Sequence, residues 1–234
     1  MGKLNLDKVR VIAFDADDTL WDCQSHFERV ENLLYALISP YCENPAAELY
    51  QTESQNMEDL GYGCKAFTIS VMETALRVCG NDLSATQLME LLEAGKQLLH
   101  LPATPLPGVG ETLSRLSETN PQLKLVCFTE GELQDQENKL RRSGLGQFFD
   151  HVEITSNKSE KEFLGLCRHL NIEPHELLMV GNSLKSDIAP ALAIGAQVVH
   201  IPFHVTWQLE VHEDFEHERM VKIERFEELL QILR

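Results

Sequence analysis

Five short apolar runs punctuate the chain, at residues 9–14, 123–128, 151–155, 177–180 and 197–201, each bounded by polar or turn residues. They are rich in Val, Ile and Leu and nearly continuous rather than alternating, the pattern of strands buried on both faces of a parallel sheet. Between the later runs the apolar spacing lengthens to that of helices. Residues 108–119 carry Val109, Leu113 and Leu116, and residues 132–143 stop at Gly144, a natural carboxy-terminal cap. Ser159-Glu160-Lys161-Glu162 reads as a capping box that opens a helix through Leu170. Residues 186–194 end at Gly195, and residues 223–233 form a last helix. Strands alternating with helices predict an α/β fold whose core is a doubly wound parallel sheet, Rossmann-like in layout.

A long stretch without strands separates the first run from the second, and it reads as helical from Ser25 to Leu101. Ser25-His26-Phe27-Glu28 has the form of a capping box, followed by Phe27, Val30, Leu34, Leu37 and Ile38 on one face and a stop at Pro40. Asn44-Pro45 starts a second helix that ends near Gly61 and Gly63, a third runs to Gly80, and Ser84-Ala85-Thr86-Gln87 opens a fourth. Pro102, Pro105 and Pro107-Gly108 make a stiff return. The expected organisation is an α/β core of residues 1–20 and 105–234, interrupted by an inserted α-helical bundle at residues 21–104.

Composition narrows the partners. The chain has 234 residues, enough for such a core and a small second unit. With 37 Asp+Glu against 20 Lys+Arg the net charge is −17, so a nucleic-acid backbone would be repelled over most of the surface. Small anions held by a local cation or a metal remain compatible. No apolar run approaches the roughly 20 residues that span a bilayer. The first eight residues lack the apolar stretch of a leader, and Gly2 lacks the Ser or Thr at position 6 that myristoylation needs. The cysteines, at 23, 42, 64, 79, 127 and 167, form no C-x-x-C pair, so neither a zinc knuckle nor a thioredoxin-like redox motif is expected. Cys127 and Cys167 fall in apolar segments, as buried reduced thiols do. A cytoplasmic protein without membrane attachment is expected; oligomeric state leaves no mark in the sequence.

The chemistry gathers where the predicted strands end, the edge at which open α/β sheets bind ligands. Asp15-Ala16-Asp17-Asp18-Thr19 follows the first run, Thr129-Glu130-Gly131 the second, Asn157-Lys158 the third, and Gly181-Asn182-Ser183 the fourth, with Asp187 just beyond. These residue types suit phosphoryl transfer. Asp15 can act as a carboxylate nucleophile toward phosphorus, and Asp17 can protonate the leaving oxygen and then activate water. Thr129 offers a hydroxyl, and the turn at Glu130 offers backbone N–H donors, to a phosphate oxygen. Lys158 supplies positive charge to the phosphoryl group and the nucleophile. Asp15, the main-chain carbonyl of Asp17, Asn182 and Asp187 make an all-oxygen set suited to magnesium.

Asp15-Ala16-Asp17-Asp18-Thr19-Leu20 resembles the first motif, D-x-D-x-T-L, of the haloacid dehalogenase superfamily. Thr129 resembles that family's second-motif Thr or Ser, Lys158 its third-motif lysine, and Gly181-Asn182-Ser183-Leu184-Lys185-Ser186-Asp187 its acidic fourth motif. The likeness covers the core in the right order. It implies a magnesium-dependent phosphomonoester hydrolase that works through an aspartyl-phosphate on a small phosphorylated metabolite. The inserted helices resemble the cap of the subclass that holds many small-molecule phosphatases, and that likeness makes them the expected determinant of specificity. Their basic residues are Arg29, Lys65, Arg77 and Lys96. Two positions depart from the pattern. Asn182 stands where the fourth motif usually begins with Asp, which removes a negative charge and leaves open whether Asn182 or Asp187 is the closer metal ligand. Glu130 stands where the second motif often has Asn, which is harmless if the contact there is a backbone N–H and repels phosphate otherwise.

Other readings compete at several of these positions. An Asp-rich strand end can be a plain capping turn, and Lys161 rivals Lys158, although Lys161 falls in the first turn of a helix where lysines face solvent. Asp18 is expected to face solvent or brace the loop, and Thr19 to fasten it. His200 and His204 have a spacing that chelates well only on a helix, and Pro202 lies between them. Trp21 and Trp207 are expected in packing rather than stacking on substrate, and the acidic run 210–218 reads as a solvated face. For the whole chain the alternatives are a 2-haloacid dehalogenase, a phosphomutase, or a non-catalytic binding protein on the same fold. Dehalogenation needs neither a metal nor an acid for the leaving group, so Asp17 and Asp187 point to phosphate chemistry. A phosphomutase would keep Asp17 as well.

Overall fold

The computed structural model describes residues 4–233; the residues before and after these, Gly2 among them, lie outside the described part. The chain divides into two compact units, Met1–Asp22 with Ala103–Arg234, and Cys23–Pro102.

The discontinuous unit is built on a six-stranded sheet in the order β3-β2-β1-β4-β5-β6. The strands are β1 Val11–Phe14, β2 Lys124–Glu130, β3 His151–Thr155, β4 Leu177–Gly181, β5 Gln197–His200 and β6 Met220–Lys222, and every pairing is parallel. The helices α5 Val109–Thr119, α6 Leu133–Ser143, α7 Glu160–Leu170, α8 Ala189–Ile194 and α9 Leu229–Ile232 accompany them. β1 lies in the middle because the chain adds β2 and β3 on one side and then returns to add β4 on the other. Its four residues are buried on alternate faces. Ile12 and Phe14 pack with Val109, Leu113, Leu116 and Leu229, whereas Val11 and Ala13 pack with Phe163, Leu166, Ala191 and Leu192. Full burial of such side chains contributes about 1.5–3 kcal/mol each, so both faces hold the strand that carries Asp15.

Several local signals are realised as their chemistry requires. Ser159 caps α7 with both bonds of the capping box, and Asn171 closes it in the left-handed region. Other segments differ from expectation. β2 and β4 run further than their apolar cores, so Thr129, Glu130 and Gly181 are still in strands, because Glu130 pairs with Thr155 and Gly181 with His200. The expected helix at 186–194 is a π-helical turn, Leu184–Ile188, followed by α8. β6 was hidden in the polar tail of an acidic stretch, and the last helix shrinks to a 3-10 turn at Phe226–Glu228 and α9.

The second unit consists of α1 Gln24–Ile38, α2 Pro45–Leu60, α3 Cys64–Cys79 and α4 Ala85–Leu98 around its own core, which includes Val30, Leu34, Leu49, Phe67, Val71, Leu91 and Leu98. Asn44 caps α2 through Ala47 N–H, and Ser84 caps α4 with a complete capping box. The box expected at Ser25 does not form: α1 begins at Gln24, so Ser25 is already helical and no side chain caps the end. Gly95 on α4 leaves no room for a Cβ against Thr68 on α3, which lets these helices approach closely. No helix among the described residues is long and apolar enough to cross a membrane.

Candidate active site

Asp15 continues the line of β1, its N–H donating to Val180 O at 2.9 Å, and is almost fully buried. The chain then turns sharply. Ala16 O accepts from the N–H groups of Thr19, Leu20 and Trp21, and Asp18 sits at a φ of 63°, a left-handed conformation that short polar side chains tolerate. The turn returns Trp21 to Asp17, and its indole Nε1 donates to Asp17 Oδ1 at 2.7 Å. Trp21, Asp17's brace, is itself buried at 1% exposure.

Lys158 lies in the loop after β3, also buried. Its Nζ donates to Oδ1 of Asp15 and, at 2.7 Å, to Oδ1 of Asp187. One ammonium therefore joins the ends of β1 and β3 to the π turn after β4. Lys161 is 87% exposed at its side chain and takes no part in that junction. Asp187 reaches inward because Gly181 has no side chain: a Cβ there would overlap its carboxylate. Its Oδ2 accepts from Ser183 N–H at 3.0 Å. Asn182 is pinned on both sides, with Thr19 Oγ1 donating to its Oδ1 at 3.1 Å and its carbonyl 3.0 Å from His200 Nε2. Glu210 accepts from the hydroxyls of Ser183 at 2.6 Å and Ser186 at 2.5 Å, which braces the turn from outside.

Thr129 is buried with its hydroxyl 3.5 Å from Glu130 O, a long contact that leaves it available to a ligand. The Gly131 N–H, counted among the turn donors for phosphate, is already given to Thr155 O at 2.9 Å. Glu130 Oε2 is buried and has no hydrogen-bond partner.

Charge follows geometry. Burial and then the neighbouring Asp187 push Asp15 up to about 7, against the pull of Lys158. Burial alone would lower Lys158, but Asp15, Asp187 and Glu130 outweigh it and hold the ammonium charged. Burial raises Glu130 to about 8, with Lys158 opposing and Glu210 and Asp187 assisting. Asp17 differs: burial would raise it, yet Lys139 foremost, then Gln136 and Trp21, hold it below the usual carboxylate range. Burial also lowers His200.

Lys139 and Gln136 were not singled out from sequence, Gly181 was read only as the start of the fourth motif, and Glu210 only as part of a solvated acidic run. For the first two the usable signal was the polarity of residues 132–143, whose helical face toward the core is not apolar. Among the described residues no three His, Cys, Asp or Glu side chains cluster as a metal site on their own. The oxygen set of Asp15, Asp17 carbonyl, Asn182 and Asp187 includes an amide and a main-chain group instead. The arrangement presents a buried carboxylate beside a lysine, a second carboxylate two residues on, and a hydroxyl held by one long contact, all at one sheet edge.

Comparison with known proteins places this edge in context. Over 234 residues the chain is 27% identical to the glyceraldehyde 3-phosphate phosphatase of Methanopyrus kandleri, covering 97% of each. It is 24% identical to the human N-acylneuraminate-9-phosphatase, covering 82% of each. A solved haloacid dehalogenase-like family hydrolase from Xanthomonas campestris superposes with a TM-score of 0.83 at 26% identity, over 96% of this chain and 91% of that one. The 2-haloacid dehalogenase of Pseudomonas syringae, at 21% identity and a TM-score of 0.62, shares the fold. Residues 9–195, which run from β1 through the turn that carries Asp187 and past α8, match the family model, and the chain belongs to the haloacid dehalogenase-like hydrolases.

Proposed function

We infer that the protein is a phosphatase that hydrolyses a small phosphorylated metabolite through an aspartyl-phosphate on Asp15. The observation that carries this reading is the buried ammonium of Lys158 shared between Asp15 and Asp187. It holds a nucleophilic carboxylate next to positive charge that a phosphoryl group can use. In the first step an oxygen of Asp15 attacks phosphorus, the ester P–O bond breaks, and the leaving alkoxide takes a proton from the carboxyl of Asp17, which must first take that proton up from solvent against the donors that favour its ionised form. In the second, water attacks phosphorus, gives its proton to the Asp17 carboxylate, and Asp15 departs, leaving inorganic phosphate. Thr129, Lys158 and the main chain at Glu130 hold the phosphoryl oxygens. The hard oxygen donors of Asp15, Asp17, Asn182 and Asp187 are of the kind magnesium takes, with Asp15 and Asp187 side by side on the Lys158 ammonium and the Asn182 amide fixed by Thr19. When bound there, the ion offsets the repulsion between an anionic nucleophile and an anionic substrate.

Two relatives named for small phosphate esters support that substrate class. The likeness to dehalogenases under a quarter identical supports the fold alone. Six free cysteines fit a reducing, cytoplasmic setting. The deciding experiment is a panel of phosphorylated metabolites assayed with magnesium, alongside Asp15→Asn. A folded Asp15→Asn protein should release no phosphate from any of them; turnover at the wild-type rate would remove Asp15 as nucleophile.

A further inference from the structure

Helix α6 turns an unusual surface inward. Its buried residues are Asp135, Gln136 and Lys139, and Lys139 is among the largest fully buried side chains of the protein. A helix face packed against a sheet is ordinarily apolar, and a sequestered ammonium is tolerated only when it is well paired. Lys139 Nζ donates to Asp17 Oδ1 at 2.9 Å and to Oδ2 at 2.7 Å, and lies 3.3 Å from Asp135 Oδ2 one turn earlier. Gln136 Nε2 donates to Asp17 Oδ2 at 2.8 Å and also to Glu130 O at 2.9 Å. With the Trp21 indole, each oxygen of Asp17 faces two donors.

Such a clamp does more than neutralise charge. A carboxylate on a tight loop keeps two side-chain torsions, and donors on both oxygens from α6 and from Trp21 fix both. Gln136 also ties that orientation to the end of β2, where Thr129 stands. Gly131 makes room for it: its φ is 134°, and a Cβ there would crowd Gln136 Nε2. We propose that Lys139 and Gln136 are positioning residues for Asp17, so that the buried polar face of α6 aims the group that moves the proton. This rests on the phosphatase reading of the same site. Neither residue touches the reacting atoms; each acts through Asp17.

A double-mutant cycle separates this from a structural ion pair, because residues that act through one another are not additive. Wild type, Lys139→Met, Asp17→Asn and the double variant are compared in turnover of β-glycerophosphate with magnesium, at enzyme concentrations high enough to measure the Asp17→Asn rate. Positioned proton transfer contributes about 10²–10⁴-fold. Lys139→Met should therefore lower kcat by about 10²-fold with KM within about twofold, and by less than about threefold in the Asp17→Asn background. Equal factors in both backgrounds, or a folded Lys139→Met with wild-type kcat, would overturn the proposal. If Lys139→Met does not fold, the same cycle with Gln136→Leu decides: about tenfold loss beside Asp17, none beyond about twofold in the Asp17→Asn background. A wild-type protein that releases no phosphate, or an Asp15→Asn protein as active as wild type, is instead the failure of the phosphatase reading itself.

Discussion

Replacing Lys158 by Met tests the electrostatics of the sheet edge most directly. The substitution keeps roughly the shape of the side chain and removes the ammonium that Asp15 and Asp187 share. Both carboxylates are buried, so each loses the cation it shares with the other. Removing one partner from a buried ion pair costs about 3–5 kcal/mol. The pH dependence has a definite sign. Asp15 lies at about 7 in the folded protein against 3.8 in the free side chain, so the folded state holds a proton that the unfolded chain releases between those values. Its contribution to the stability of the metal-free protein is complete below about pH 4 and declines as pH rises to 7, by on the order of 4 kcal/mol at most. Lys158 opposes that rise, so Lys158→Met should push the decline further and extend it above pH 7. Urea denaturation in chelator at pH 5, 7 and 8.5 measures this: the midpoint of the variant should fall below wild type by a margin that widens with pH. Magnesium, which replaces one cation by another, should narrow the margin at pH 8.5, while turnover stays lost. A variant as stable as wild type in chelator at pH 8.5 would refute the shared-ammonium account.

Gly181→Ala should cut turnover by at least about tenfold while the fold survives, because the new methyl occupies the space of the Asp187 carboxylate. Phosphate release and the melting temperature, measured together, check it; wild-type turnover would show that Asp187 need not reach inward. Chelation should stop turnover and magnesium restore it, with calcium a poor substitute because it prefers more ligands at longer distances. A colorimetric phosphate assay in excess chelator checks this, and full activity there would remove the metal from the reaction.

Much of the fold was legible because its causes are local. The runs that became β1, β2, β4 and β5 are apolar without alternation, and that follows from burial on both faces of a parallel sheet, whereas the edge strand β3 alternates and is half-buried along its length. Ser84, Ser159 and Asn44 announce helix starts because each side chain bonds a backbone N–H three residues or fewer away. Ser25 carried the same signal and failed, since a Ser-x-x-Glu pattern does not say whether the chain before it is already helical. β6, three residues long, offers too few positions for any period to show, and its pairing to β5 supplies the stability its own sequence lacks.

The candidate site divides along the same line. The order of Asp15, Thr129, Lys158 and Asp187 along the chain, each at or just past a strand, was enough to bring them to one edge, because parallel strands all end on the same side. The partnerships at that edge belong to the tertiary structure alone. That Lys158 rather than Lys161 meets Asp15 and that Lys139 from α6 closes on Asp17 are contacts between residues far apart in sequence, and that Gly181 yields its space to Asp187 depends on the π-helical turn that carries Asp187 back toward β4. No periodicity encodes them. Sequence by itself determined which groups stand at the strand ends; packing decided which charges share a buried volume, and hence which carboxylate is pushed up and which is held down.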